Sequence, residues 1–138
     1  MRRGFLLPLV ALAIAAALPA RAQDARSTEA QDAARAWLAL ADDNDADAAY
    51  AAAGDKFRRQ VPQAQWTKAL ADTRTPLGKN LRRTVVSTQF VDRIKVFGKG
   101  DYAVMIFRSS FANRDFAQEQ VTVEKTAKGW QVIGYFFR

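Results

Sequence analysis

Tyr102-Ala-Val-Met-Ile-Phe-Arg-Ser-Ser-Phe111, Phe116-Ala-Gln-Glu-Gln-Val-Thr-Val-Glu124 and Trp130-Gln-Val-Ile-Gly-Tyr-Phe-Phe137 follow one another in the last third of the chain. Each run is rich in β-branched and aromatic residues, and the joints, Asn113-Arg114 and Ala127-Lys128-Gly129, are turn-like. The expectation is three consecutive antiparallel strands. A two-residue turn at Asn113-Arg114 pairs Arg108 with Glu119, Ile106 with Val121 and Val104 with Val123. The second turn then sets Val123 opposite Val132 and Val121 opposite Gly134. In that register Val104, Ile106, Val121, Val123, Trp130, Val132 and Phe136 share the core face. Met105, Phe107, Gln118, Gln120, Thr122, Gln131, Ile133, Tyr135 and Phe137 share the other.

Upstream of these strands, Leu81 to about Val96 alternates enough to add a fourth, turned back by Gly98-Lys-Gly-Asp101. The preceding half reads as three helices. The first follows a capping-box spacing at Thr28-Glu-Ala-Gln31 and carries Trp37 and Leu38. Asp42-Asp-Asn-Asp45 breaks it, Asp45 or Asp47 caps a second over Ala48–Ala53, and Gly54 closes that helix. Pro62 opens a third from Gln63 to about Thr73, before a break at Thr75-Pro-Leu-Gly78. The fold class expected is α+β: three N-terminal helices packed on a four-stranded curved antiparallel β-sheet. Trp37, Leu38, Trp66 and Trp130 are the expected core anchors.

At the amino terminus, Met1-Arg-Arg-Gly is a positive n-region and Phe5 to Leu18 an uncharged apolar run. Ala20-Arg21-Ala22 fits the small-x-small cleavage pattern. Residues 1–22 are therefore expected to be a cleaved secretory signal peptide, and 23–138 a single α+β domain in the periplasm or secreted. The apolar run is shorter than the roughly 20 residues a spanning helix needs, so no integral anchor is expected after cleavage. Arg2-Arg3 also resembles a twin-arginine signal, but general secretion suits this short n-region better. The chain has no cysteine, so an exported domain of this sequence folds on its core alone.

Loss of Arg2, Arg3 and Arg21 with the leader lowers the formal charge from +7 to +4. Gln23 to Asp55 holds eight acidic and two basic residues, whereas Lys56 to Arg138 holds six acidic and sixteen basic. Two oppositely charged halves read as a solvated surface more readily than as a nucleic-acid footprint, and no nucleic acid is expected. Arg58-Arg59 and Arg82-Arg83 are the candidate anion patch within the basic half.

Without histidine or cysteine the chain lacks the residues of serine–histidine and cysteine–histidine nucleophile systems and of most transition-metal sites. No cofactor or metal is expected. The acidic run at Asp42 lacks the glycine and terminal glutamate of a calcium loop. Arg108 and Glu119, side by side on the core face, are the candidate cavity polar pair, either an acid–base site or a cross-strand ion pair. A paired carboxylate is a poor general base, so the ion pair is preferred and no catalytic residue is assigned. Met105, Phe107, Ile133, Tyr135 and Phe137 make the opposite face a candidate interface, unless the chain's own ends cover it.

Ala36-Trp-Leu-Ala-Leu40, Tyr50, Phe57, Trp66, Arg74-Thr-Pro-Leu-Gly78, Ser110-Phe-Ala-Asn113 and Gly129-Trp-Gln-Val-Ile-Gly-Tyr-Phe-Phe-Arg138 together resemble a bacterial exported family, domain of unknown function 4019. More loosely, the order of elements is similar to the cystatin-like cone fold of the nuclear transport factor 2 superfamily. The resemblance implies fold and export, and no activity. The expectation is a non-enzymatic binding or assembly module that binds a periplasmic partner protein, a copy of itself or a small apolar ligand. The alternative is a cofactor-free lyase or isomerase using Glu119, Arg108 and a tyrosine in the cone.

Overall fold

The computed structural model describes residues 17–138. The expected signal peptide therefore lies outside the described residues up to residue 16; its last residues, 17–22, are helical. Four helices come first, α1 Ala17–Asp42, α2 Ala46–Ala52, α3 Asp55–Gln60 and α4 Gln63–Leu77. Four strands follow, β1 Asn80–Ile94, β2 Gly98–Phe111, β3 Arg114–Thr126 and β4 Gly129–Phe137, in one antiparallel sheet of order β1-β2-β3-β4. The chain is α+β, with the helices N-terminal to a curved meander. Among the described residues no helix is long and apolar enough to cross a membrane.

The helical half differs from expectation in three places. The spacing at Thr28 does not start α1, which passes straight through it; the Thr28 hydroxyl instead donates back to the Asp24 carbonyl at 3.0 Å. Asp45 does cap α2, accepting from the Ala48 amide at 3.1 Å. Gly54 is extended rather than left-handed, and it opens a short α3 that the sequence reading did not contain. What Gly54 supplies is close approach: its amide donates to the Val132 carbonyl of β4 at 2.7 Å. A Cβ there would lie 3.0 Å from Ile133 Cγ2. The turn between α2 and α3 is thus laid on the β4 edge.

The register of the sheet is where the expectation fails, and two bulges are the reason. The β2–β3 turn is Ala112-Asn113, with Phe111 opposite Arg114 and Phe107, not Arg108, opposite Glu119. The α4–β1 connection holds that turn in place: the amides of Ala112 and Asn113 donate to the carbonyls of Lys79 and Leu77 at 2.8 and 2.9 Å. The Asn113 side-chain amide adds a bond to the Pro76 carbonyl. Every β2 side chain therefore changes face, and Met105 and Phe107 are fully buried. In β4 a shift beside Val132 turns Tyr135 inward and leaves Phe136 61 % exposed. The third edge device is in β1, whose ladder is interrupted three times, which blunts an otherwise long free strand.

The core lies between the concave sheet face and α1, α2 and α4. Trp37, Leu38 and Trp66 are buried there, while Trp130 is half-buried beside Phe90. The two buried indoles donate to α2 carbonyls, Trp37 to Ala49 at 2.8 Å and Trp66 to Ala46 at 3.0 Å. Both tryptophans thus pack their rings and still satisfy their N–H groups.

Gly78 ends α4 with φ +72° and ψ −161°, a conformation open essentially to glycine alone. A Cβ there would also lie 3.1 Å from Asn113 Nδ2 and 3.2 Å from Ala112 Cβ. Gly78→Ala is expected to lower the unfolding free energy by about 1–3 kcal/mol, read from the urea midpoint. An unchanged midpoint would mean that the α4–β1 connection does not set the β2–β3 turn.

Candidate functional site

Glu119 lies mid-sheet on the concave side of β3, with no exposure to solvent. Arg83 reaches it from the start of β1, placing Nε at 2.9 Å and Nη2 at 2.8 Å from Oε1. Arg74 comes down from the last turn of α4, with Nη2 at 3.0 Å from Oε2. Ser109 of β2 donates its hydroxyl to Oε1 and Tyr135 of β4 donates to Oε2. A carboxylate offers about four lone-pair positions. All are taken.

Asp42, the last residue of α1, completes the group. Arg83 grips it with two parallel bonds of 2.8 Å, and Arg74 pairs with the same carboxylate. Its place at the negative end of the α1 dipole is unfavourable by itself, and the two guanidiniums reverse that. Two cations and two anions leave the cluster formally neutral. Burial works to raise the Asp42 pKa, but Arg83 and Arg74 outweigh it and hold the carboxyl below its ordinary 3.8. Burial, and then the Glu119 charge, push the Tyr135 hydroxyl well above its ordinary value, so it stays protonated as a donor.

The expected pairing of Arg108 with Glu119 is not made. Arg108 is exposed on the convex face, its guanidinium 4.9 Å from the Phe116 ring, because the bulge between Ser109 and Phe111 moved it through the sheet. The residues that do reach Glu119 come from 10 to 45 positions away in sequence. One signal was available: Trp66, Leu70, Arg74 and Leu77 form the buried stripe of α4, with an arginine inside it. The same cluster withdraws Arg83 from the candidate anion patch, and Arg58 is turned onto Asp55 and the end of α2.

The candidate interface also changes membership. Met105, Phe107 and Ile133 are buried, Tyr135 packs on Trp37 at 5.5 Å and Phe137 on Phe111 at 6.0 Å. The face left open carries Val86, Val104, Ile106, Phe116 and Phe136 instead. Among the described residues no group of three or more acidic side chains is placed to hold a metal.

Residues 33–135 match the family described as a protein of unknown function (DUF4019), and the chain belongs to that family. No curated protein and no solved structure matches it. Two of the sequence blocks that carry the resemblance, Arg74–Gly78 and Ser110–Asn113, meet in space at the Gly78–Asn113 contact.

Removing one partner of a buried pair leaves its counter-charge uncompensated. Glu119→Ala is expected to cost about 3–5 kcal/mol in urea unfolding, with arginine charges stranded in the core. The folded-state pKa of Asp42 lies below 3.8, so its stabilising term is complete above that pH and fades as pH falls through the folded value. The urea midpoint should therefore drop below about pH 4, and Asp42→Asn should flatten that part of the profile. A profile that Asp42→Asn leaves unaltered would remove Asp42 from the acid response.

Proposed function

We propose that this member of the family is an exported, non-enzymatic domain of the bacterial periplasm that works by binding through the open face of its sheet. The observation that carries the reading is the saturated Glu119. A carboxylate with every lone pair engaged, flanked by two arginines and with no exposure to solvent, has no position at which to take a substrate proton. The buried polar group of the cone holds elements together, and the exposed chemistry is on the other side. The alternative lyase or isomerase loses its second residue as well, since Arg108 is on the opposite face. The order of helices followed by a curved meander supports kinship with the cystatin-like cone fold, which is part of the same proposal.

On the open face Val86 and Phe116 are 61 % and 54 % exposed, with Ile106 and the stacked Arg108 between them. An aromatic and an arginine set among aliphatics is the composition of a contact surface. A second copy of the chain is the simplest protein partner, because a two-fold contact needs only one such patch.

Two measurements test this. The protein isolated from the periplasm by osmotic shock should have a mass beginning at Gln23; a full-length cytoplasmic product would overturn export. The processed protein should scatter light as a dimer at micromolar concentration, and Phe116→Glu should convert it to a monomer. A wild-type monomer at all concentrations would overturn self-association through this face.

A further inference from the structure

The other end of the open face is walled. A groove of about 450 Å³ runs between α3, with Phe57 and Val61, and the tip of the β1–β2 hairpin, with Val96 and Phe97. Its floor is a row of directly paired residues, Val104, Thr122 and Gly134. We propose that this groove binds a single hydrocarbon chain, uncharged over the length it buries. The inference rests on the reading of the domain as a binding module and names a ligand class for it.

The floor glycine is the first argument. Gly134 lies in a strand, where glycine costs about 0.5–1 kcal/mol relative to alanine. Its φ is not in the left-handed region, so the backbone does not demand it. Packing does not demand it either: an added Cβ would meet Thr122 Cβ at 3.5 Å, an ordinary contact. What the missing side chain does is keep the groove deep. Glycine inside a strand often marks the close approach of a ligand.

Charge is the second. No ionisable carboxylate, lysine or arginine lines the groove; its polar groups are Gln60, Gln120, Thr122 and the Tyr135 ring, whose hydroxyl is committed to Glu119. Lys56 of α3 is held by Glu124 and by the Tyr102 hydroxyl at 3.0 Å. That latch also ties the α3 wall to the sheet, so the groove stands preformed. A wall without charge complements an uncharged ligand and penalises a buried ionic one.

Shape is the third. A second apolar cavity of about 300 Å³, between α4 and β4, shares Phe57, Val61, Tyr135 and Phe136 with the first. The two form one track passing over the β4 edge beneath α3. An apolar groove that continues past shared walls into a second apolar cavity suits a flexible chain better than a compact ring system.

The test is a fluorescence titration of the processed protein with cis-parinaric acid, followed by displacement with 1-dodecanol. One saturable site is expected, emptied by the alcohol, since the buried part needs no charge. Gly134→Leu fills the floor and should weaken binding by about tenfold or more, with a thermal midpoint no lower than that of the wild type. Val104→Glu, on the same floor, should do the same if Gly134→Leu fails to fold. Lys79→Ala, an exposed position at the opposite end of the sheet and outside the groove, should leave binding unchanged. No saturable signal, or a folded Gly134→Leu that binds as tightly as the wild type, would overturn the proposal. Failure of the alcohol to displace the acid would overturn its uncharged character. Loss of the chain site in a protein that is still processed and still dimeric would sink this inference alone. A monomer with an intact leader would instead sink the reading beneath it.

Discussion

A carboxylate with no access to water dictates how this molecule closes. Glu119 would be prohibitively costly to bury alone, so each of its oxygens must find donors, and the donors come from elements far apart in the chain. Arg74 brings α4, Arg83 brings β1, Ser109 brings β2, Tyr135 brings β4, and through Asp42 the arginines bring the end of α1. Only the two short helices stand outside the cluster. Such a group adds little net stability over an apolar filling of the same volume. Its effect is on specificity: a slip of β3 by one residue would carry Glu119 to the other face and leave two guanidiniums in the core with Asp42 as their one carboxylate.

That constraint explains which parts of the fold were legible in the sequence. Element types were readable from local pattern: four runs of β-formers, helical spacing around Trp37 and Trp66, and the Asp45 cap. The face of β3 was readable too, because Glu119, Val121 and Val123 alternate cleanly with Gln118, Gln120 and Thr122. The faces of β2 and half of β4 were not. Their register is set by contacts that no local window contains: Ala112 and Asn113 bound to the α4–β1 connection, and Val132 bound to Gly54. Where a strand is apolar on both faces, as from Ala103 to Phe107, alternation carries no information to correct a one-residue slip. The charge cluster was hidden for the same reason, although an arginine in the buried stripe of α4 pointed to it.

The two faces of the sheet therefore have different roles. On the concave side Trp37 and Trp66 pack and donate to α2 and the ions at one end cancel, with the Arg74 Nε and Trp130 Nε1 atoms left buried without a partner among the described residues. The convex side is left with half-buried aliphatics, exposed aromatics and an arginine whose nearest partner is a phenyl ring. A sheet face of this composition, with no element of the described chain laid over its centre, is the place where further free energy is to be had by association.

Tyr135 joins the two sides. Its hydroxyl is fixed by Glu119 and Arg74 on the concave face, while its ring is part of the lining of the apolar track around the β4 edge. A ring anchored in this way cannot swing to fill the track, and Phe57, packed on Trp37 and Trp66, is equally fixed. The track stays open because its walls are committed elsewhere. Pre-organisation of that kind lowers the ordering cost of binding. The buried ions thus help shape the open face, by fixing the Tyr135 side chain that lines it.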